Sequence, residues 1–296
     1  MSTMSYTNEI IQIDEGLYCI KDVKSINKYL ILGEEKAMLL DTGYGFADPR
    51  PVIRSITDLP LVVADTHGDI DHAAGNYWFD EVYLSLYDYR NLGHIEHPAL
   101  RRQQMEYRLN KPGSTLGQEM ELEEWMRHGA YECRYCLIDD GFSFELGDRK
   151  LEVLSVPGHT AGSLAFLDHK TGYLFTGDSV MKYNVFFAPV CSPKAPYELL
   201  RDNEPLLVYE NSLRKLQKRK AEMSLLFPGH GEMGISPEFI DDLLVNLQEI
   251  RTQTGKHERF TTYRGSQAIR HAYKETLIYY TDEKLWEYQR VRRNPE

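Results

Sequence analysis

The chain has 296 residues, of which 42% are hydrophobic and 27% charged, and its formal net charge is −11. It is long enough for a substantial core, but the acidic excess argues against nucleic acid as a partner, because that binding needs clustered Lys and Arg. No apolar run approaches the ~20 residues of a membrane span, and the N-terminal sequence lacks the basic start and apolar stretch of a signal peptide. We therefore expect a cytoplasmic protein without a membrane partner.

Short apolar segments broken by Gly, Asp and Pro predict a β-rich layer in the first 64 residues. The predicted strands are Leu17–Ile20, Tyr29–Leu32, Met38–Leu40 and Leu61–Val63, with one helix after Asp48.

The segment THGDIDHAAGN, residues 66–76, follows the last of these strands. It places His67, Asp69, Asp71 and His72 within six residues. Side chains two residues apart on an extended chain share a face, and imidazole and carboxylate groups are metal ligands. This segment therefore predicts a metal site at the end of a strand.

A polar stretch from about residue 97 to residue 129 has a helical pattern and looks like an insertion. Thr115 and Gln118 form a capping box, Leu122 and Trp125 share a helix face, and Gly129 supplies a stop. Two interpretations stay open, because long connections are often functional. The insertion is either a surface helical hairpin or a cap over the metal site that shapes the substrate pocket.

Three later residues are further ligand candidates. His159, Asp178 and His230 each follow a short apolar segment and each lie beside a glycine that lets the backbone turn. A single histidine of this kind is weak evidence, but together with residues 66–76 the three indicate a metal centre. The predicted strands around them are Gly141–Phe144, Leu151–Val156, Ser163–Leu167, Tyr173–Phe175 and Ser224–Phe227.

The C-terminal part predicts two helices and a strand. One helix carries Leu206, Tyr209, Leu213 and Leu216; Ser236 and Pro237 are suited to begin the second. The tail contains a predicted strand, Ala272–Tyr280, which can dock on this chain or on another copy in a homo-oligomer.

The CxxC cysteines and the remaining histidines are not expected to form a further metal site. Cys133 and Cys136 form a lone CxxC without a second pair, so we expect two thiols. The other histidines lie in polar or cap segments and are expected at the surface; they are His94, His97, His128, His169, His257 and His271.

Taken together, these motifs resemble the metallo-β-lactamase superfamily, whose first motif is H-x-H-x-D-H, followed by separate His, Asp and His ligands. The segment AMLLDTG, residues 37–43, also resembles the strand and Asp-Thr-Gly turn that precede this motif in the family. The resemblance implies an α/β fold, an αββα sandwich, as a single domain over residues 1–296. This domain would carry the helical insertion at about 97–129 and a C-terminal extension at about 256–296.

The resemblance also assigns the ligands. His67, residue 69 and His159 would bind a first metal; Asp71, His72 and His230 would bind a second; and Asp178 would bridge them. Here Asp69 replaces the second histidine of the family. With Asp71, Asp178 and a bridging hydroxide, its charge makes the centre electroneutral, which weakens a Lewis acid and favours iron or manganese over zinc.

We expect two divalent ions, with zinc as the first choice and iron or manganese as alternatives. The first position should bind more weakly, since aspartate is shorter than histidine. Flavodiiron proteins in the same superfamily carry a carboxylate at this place and bind iron.

The implied function is a metal-dependent hydrolase that uses a metal-bound hydroxide on a small activated acyl substrate, a thioester or lactone. Asp71 would orient the hydroxide and pass a proton to the leaving group, and Tyr183 would donate to a developing oxyanion. Thr66 or Asp65 would hold the ligand imidazoles. The alternatives are a non-hydrolytic di-iron redox protein of the flavodiiron kind and a substrate-binding sensor with weak turnover.

Overall fold

The computed structural model describes residues 9–22, 26–109, 125–129, 132–182, 185–187, 204–262 and 267–290. The chain divides into two compact units, Met1–Leu151 and Glu152–Glu296, called here the N-terminal unit and the C-terminal unit. Within the described ranges, no helix combines the length and the apolar character needed to cross a membrane. The single-domain organisation stays a prediction.

One sheet dominates the described part of the N-terminal unit, and its strands follow one another in chain order. They are β1 Glu9–Asp14, β2 Leu17–Asp22, β3 Ile26–Leu32, β4 Ala37–Leu40, β5 Leu61–Ala64, β6 Glu81–Ser85 and β7 Arg134–Ile138. Strands β1 to β4 pair antiparallel, whereas β4 to β7 pair parallel. The carboxyl ends of β4, β5 and β6 therefore lie at one edge of the sheet, the usual place for a site in such sheets.

Helices connect the parallel strands of this sheet. They are α1 Arg50–Ile56, α2 Ile70–Ala73, α3 Leu86–Glu96 and α4 Pro98–Leu109, with a 3₁₀ turn at Asn76–Trp78. A short strand that is not part of this sheet, β8 Ser143–Glu145, follows β7 in the chain. Every residue of β4 is buried, as expected for an apolar strand covered on both faces. A helix after Asp48 was predicted, and α1 fulfils that prediction.

The insertion is helical over α4, as predicted, whereas the Thr115–Gln118 capping box and Leu122 lie outside the described residues. Near its far end one residue is buried: Trp125 is 2% exposed, and its indole Nε1 donates to the carbonyl oxygen of Tyr44 at 2.7 Å. Trp125 also belongs to a core cluster that includes Ile70 and Ala73 of α2. The insertion is thus anchored beside the short helix of the 66–76 segment.

The C-terminal unit contains two sets of strands. The first set comprises β9 Lys150–Ser155, β10 Leu164–Asp168, β11 Tyr173–Gly177 and, later in the chain, β13 Leu225–Pro228, in the spatial order β13, β11, β10, β9. The second comprises β12 Val185–Phe187, β14 His257–Thr261, β15 Gln267–Tyr273 and β16 Thr276–Tyr280, in the order β12, β16, β15, β14. The helices are α5 Leu206–Lys218, α6 Phe239–Thr252 and α7 Asp282–Arg290, with a 3₁₀ turn at Lys220–Glu222.

Two predicted boundaries in this unit are wrong. The single strand predicted for Ala272–Tyr280 is a hairpin, because β15 ends at Tyr273 and the chain turns through Lys274, whose φ is 48°. The second helix begins at Phe239, not at Ser236 and Pro237: the Ser236 carbonyl oxygen accepts from the Phe239 amide in a turn before the helix.

The prediction that His271 lies at the surface is also wrong. Its side chain is fully buried on β15; its Nδ1 lies 2.9 Å from Oδ1 of Asn246 in α6 and its Nε2 lies 3.1 Å from the Thr254 carbonyl oxygen. Both partner atoms are acceptor oxygens, so the neutral imidazole donates to one of them at a time. His271 therefore links the C-terminal hairpin to α6.

Candidate metal centre

The N-terminal ligand set, His67, Asp69, Asp71 and His72, lies just beyond the carboxyl end of β5. The alternation predicted these ligands on an extended strand, and this prediction is wrong. Strand β5 ends at Ala64, residues 65–69 form a loop, and Asp71 and His72 lie in the first turn of α2. His67 and His72 nevertheless converge, with ring centroids 4.1 Å apart. A loop followed by a tight helical turn thus gathers side chains that a strand alone would separate.

Asp41 holds this set in place from the end of the neighbouring parallel strand β4. Its Oδ1 accepts from the Thr66 amide at 2.7 Å, and its Oδ2 lies 2.8 Å from Nδ1 of His72. The Thr66 hydroxyl donates to the same carboxylate at 3.0 Å, so it accepts from Nδ1 of His67, also at 3.0 Å. Both imidazoles therefore carry their proton on Nδ1 and direct Nε2 elsewhere, as metal-binding histidines do.

Thr66 thus makes the imidazole contact predicted for it, whereas Asp65 makes a different one. Oδ2 of Asp65 accepts from the side-chain amide of Asn76 at 2.6 Å. Burial, reinforced by the charge of Asp41, raises the pKa of Asp65 well above its ordinary value. The role of Asp41 was not predicted from the sequence, although the Asp-Thr-Gly turn was the available signal.

Asp88 is a second residue whose role was not predicted from the sequence. It lies in the first turn of α3, is 1% exposed, and its Oδ2 accepts from the amide of Gly68 at 2.8 Å. Gly68 separates His67 from Asp69, and a Cβ on it would lie 3.1 Å from Cβ of Asp88. The backbone between two candidate ligands is therefore fixed by a buried carboxylate.

The Asp69 carboxylate reaches its neighbour despite being shorter than an imidazole. Its Oδ2 lies 3.7 Å from Nε2 of His67. Two ligand atoms that each lie about 2.0–2.2 Å from one ion are separated by roughly 3–4 Å. The separation within this pair therefore suits a shared ion.

The C-terminal ligand set consists of His159, Asp178 and His230. Asp178 follows β11 directly and His230 lies two residues beyond β13; these two strands are parallel, so their carboxyl ends lie at the same edge. Oδ2 of Asp178 is 3.7 Å from Nε2 of His159 and 3.4 Å from Nε2 of His230. One carboxylate oxygen between two imidazole nitrogens is the arrangement expected of a ligand shared by two ions.

Each set contains donor atoms of the kind that divalent metals bind, with pairs of them less than 4 Å apart. Imidazole Nε2 atoms and carboxylate oxygens are the donors that zinc, iron and manganese accept, and here they are brought together while largely buried. Asp178, for example, is 8% exposed and His67 is 1% exposed. Burying carboxylates beside imidazoles is costly unless a cation or hydrogen bonds compensate.

Two other predictions concern residues away from these sets. Tyr183, the predicted oxyanion donor, lies outside the described residues. Cys133 and Cys136 both keep their thiols, as predicted. Burial raises the pKa of Cys133 to about 11, so this thiol is protonated at neutral pH.

The family model of the metallo-β-lactamase superfamily matches residues 22–230. The chain belongs to the metallo-β-lactamase superfamily. Among solved structures, a metallo-β-lactamase family protein from Thermus thermophilus superposes with a TM-score of 0.55 at 19% identity, covering 83% of this chain and 85% of that one. The predicted family and α/β fold class are thereby confirmed.

The curated relatives include enzymes with named activities. Acyl-coenzyme A thioesterase MBLAC2 of Gallus gallus is 28% identical over 171 residues, 52% of this chain and 57% of the relative. Hydroxyacylglutathione hydrolase of Gloeobacter violaceus is 27% identical over 157 residues, 52% of this chain and 49% of the relative. The chain thus spans about half the length of these relatives.

Proposed function

We propose that this protein is a metal-dependent hydrolase whose substrate is a small thioester. The observation that carries the proposal is the position of Asp178, with one carboxylate oxygen 3.4 Å and 3.7 Å from the Nε2 atoms of two histidines. The metallo-β-lactamase family match over both ligand sets supports it.

In this proposal, the N-terminal and C-terminal ligand sets complete one centre for two ions. Following the pattern of the family, His67, Asp69 and His159 hold the first ion; Asp71, His72 and His230 hold the second; and Asp178 bridges them. The buried Asp41–Thr66 network supports this assignment, because it keeps the proton of both N-terminal imidazoles on Nδ1.

Thioesters are favoured over lactones by the named relatives. Acyl-coenzyme A and hydroxyacylglutathione are both thioesters, and the relatives named for acting on them each match about half of this chain. Lactones remain the second substrate class, because they too are activated acyl compounds.

When bound, divalent ions lower the pKa of water and polarise the acyl oxygen. Asp71 lies half-buried beside His72 in the first turn of α2, and we propose that it orients the attacking water. Its carboxylate accepts a proton from that water as the new C–O bond forms and passes the proton to the thiolate sulfur as the C–S bond breaks. Tyr183 is proposed to donate its hydroxyl to the acyl oxygen during this step.

Asp69 bears on which metal is bound. A carboxylate in the first position lowers the net charge of the centre and favours iron or manganese relative to an all-histidine site. We propose zinc as the working metal, with iron as the alternative that would support a redox function. Elemental analysis of protein purified without chelators, with Asp69→Ala beside it, distinguishes these cases: unchanged stoichiometry would exclude Asp69 as a ligand.

Turnover is tested with metal-loaded protein on a matched panel of acyl thioesters, lactones and phosphodiesters. The expected result is hydrolysis of thioesters above the rate with free metal, abolished by a chelator and restored by zinc. No turnover of any class would overturn the hydrolase proposal, and iron content with an optical change on adding oxygen would favour the di-iron alternative.

A further inference from the structure

Two loops of the C-terminal ligand set meet the same buried side chain. Tyr209 of α5 is fully buried, and its hydroxyl donates to the carbonyl oxygen of Ser179 at 2.7 Å. Its ring packs on Gly158, where an added Cβ would lie 2.6 Å from Cδ2 of Tyr209. Gly158 directly precedes His159, and Ser179 directly follows Asp178.

The loop before His159 is also fixed to the same helical region at two other points. The Ser212 hydroxyl donates to the Pro157 carbonyl oxygen at 2.7 Å, and the Glu204 amide donates to the Gly158 carbonyl oxygen at 3.1 Å. Tyr209 adds a contact to the second loop, the one that carries Asp178. The helix thereby relates the backbone positions of two ligands that are 19 residues apart.

We propose that Tyr209 is a positioning residue that sets the separation between His159 and Asp178. This inference rests on the proposed function, because it assumes that both residues bind metal. The observed separation of 3.7 Å between Nε2 and Oδ2 has to be kept within about 0.5 Å for both to bind one ion well. A ring with two rotatable bonds, packed on glycine and tied by a hydrogen bond, is rigid enough to do so.

The protonation state of the Tyr209 hydroxyl supports this positioning role. Burial raises the pKa of Tyr209, so its hydroxyl remains a donor over the whole working pH range. Ser179 is buried as well, and loss of the donor to its carbonyl oxygen would leave an acceptor that the loop can satisfy by moving. Such a movement would displace the adjacent Asp178.

Tyr209→Phe tests the inference, because it removes the hydrogen bond and keeps the ring. Tyr288→Phe is the matched control: Tyr288 is 1% exposed in the same unit, and its hydroxyl donates to Oε2 of Glu210 at 2.6 Å. Both variants lose one buried hydroxyl, so a purely structural role predicts similar effects. Co²⁺ is titrated into each metal-free protein, and the visible absorption bands report affinity and coordination geometry.

We expect Tyr209→Phe to bind Co²⁺ about 10-fold more weakly with altered band intensities, the size of effect usual for residues that support metal ligands. Tyr288→Phe should match the unsubstituted protein. Gly158→Ala disturbs the contact between Gly158 and the Tyr209 ring from the loop side, and it should also weaken Co²⁺ binding. The inference therefore stays testable if Tyr209→Phe folds poorly.

Equal Co²⁺ affinity and spectra in Tyr209→Phe, Tyr288→Phe and the unsubstituted protein would overturn the positioning role and leave the proposed hydrolase intact. By contrast, an unsubstituted protein that shows no saturable Co²⁺ bands would overturn the proposed function itself. The two failures are therefore distinguishable.

Discussion

The two ligand sets are held in place by different means. In the N-terminal unit, a buried carboxylate and a hydroxyl contact the imidazole rings directly, through Asp41 and Thr66. In the C-terminal unit, the described contacts of Tyr209 and Ser212 are made to loop backbone beside the ligands. The first arrangement fixes the proton positions of the ligands, whereas the second fixes where their loops lie.

This difference teaches which property each substitution should disturb. Changing a side chain that touches an imidazole alters both its orientation and its basicity, while changing a backbone support alters only position. Substitutions in the N-terminal network should therefore affect metal affinity and its pH dependence, and those in the C-terminal supports should affect coordination geometry.

The largest effect is expected from Asp178→Asn, because this residue is shared within the C-terminal ligand set. Loss of one negative charge between two imidazoles should reduce bound metal below one ion per chain and hydrolysis by several orders of magnitude. Elemental analysis and thioester assays measure the two quantities. Asp282→Asn, an exposed carboxylate paired with Arg259, is the matched control and should change neither.

An intermediate effect is expected from Asp41→Asn. Asparagine has a donating NH₂ group where aspartate has a second accepting oxygen. This group faces either the Nδ1 proton of His72 or the donors of Thr66, so at least one hydrogen bond is lost. Metal affinity should fall about 10- to 100-fold, measured by competition with a chromophoric chelator.

Asp65→Asn controls for this substitution, since Asp65 is equally buried but contacts Asn76 instead of an imidazole. A comparable loss of affinity in both variants would show that the N-terminal network acts through stability alone.

The smallest effect is expected at Glu152, which contributes to stability in the C-terminal unit. Hydrogen bonds from Arg219 lower the pKa of Glu152 from 4.5 to about 2, with a smaller contribution from His169. A carboxyl whose pKa is lowered on folding stabilises the fold above pH 4.5 and loses that contribution as the pH falls toward 2. Because the group is partly exposed, the contribution at neutral pH is about 1 kcal/mol.

Glu152→Gln should therefore lower the free energy of unfolding at pH 7, and the difference from the unsubstituted protein should shrink at pH 3. Urea unfolding at both pH values measures this, with Co²⁺ affinity unchanged. A difference that grows at acid pH would contradict the assigned ion pair.

The sequence predicted where the candidate ligands lie along the chain because each of them follows an apolar strand. Asp178 and His230 were placed after β11 and β13 from local pattern alone, and the parallel pairing of those strands brings them together. The family resemblance supplied the Asp-Thr-Gly turn at Asp41, but local pattern gave no reason for its side chain to reach His72. Contacts between residues 31 positions apart depend on strand order, which periodicity does not reveal.

Other misses have the same origin. Asp88 and Tyr209 look like ordinary helix residues in the sequence, and their roles come from the loops that fold against them. His271 was predicted at the surface because its neighbours are polar, yet the pairing of β15 with β16 turns it inward. Local sequence pattern therefore identified the ligand candidates, whereas the residues that support them could be recognised only from tertiary contacts.

The backbone of Asp41 has a φ of 65°, a left-handed conformation that most side chains avoid. Glycine and asparagine adopt it readily, yet neither supplies two anionic oxygens, and glutamate is less suited to the turn. A saturation library at this codon should therefore yield folded but metal-poor proteins with Gly and Asn. Aspartate both adopts this left-handed conformation and supplies two anionic oxygens. An aspartate at this turn is therefore a criterion for identifying relatives whose metal centre is intact.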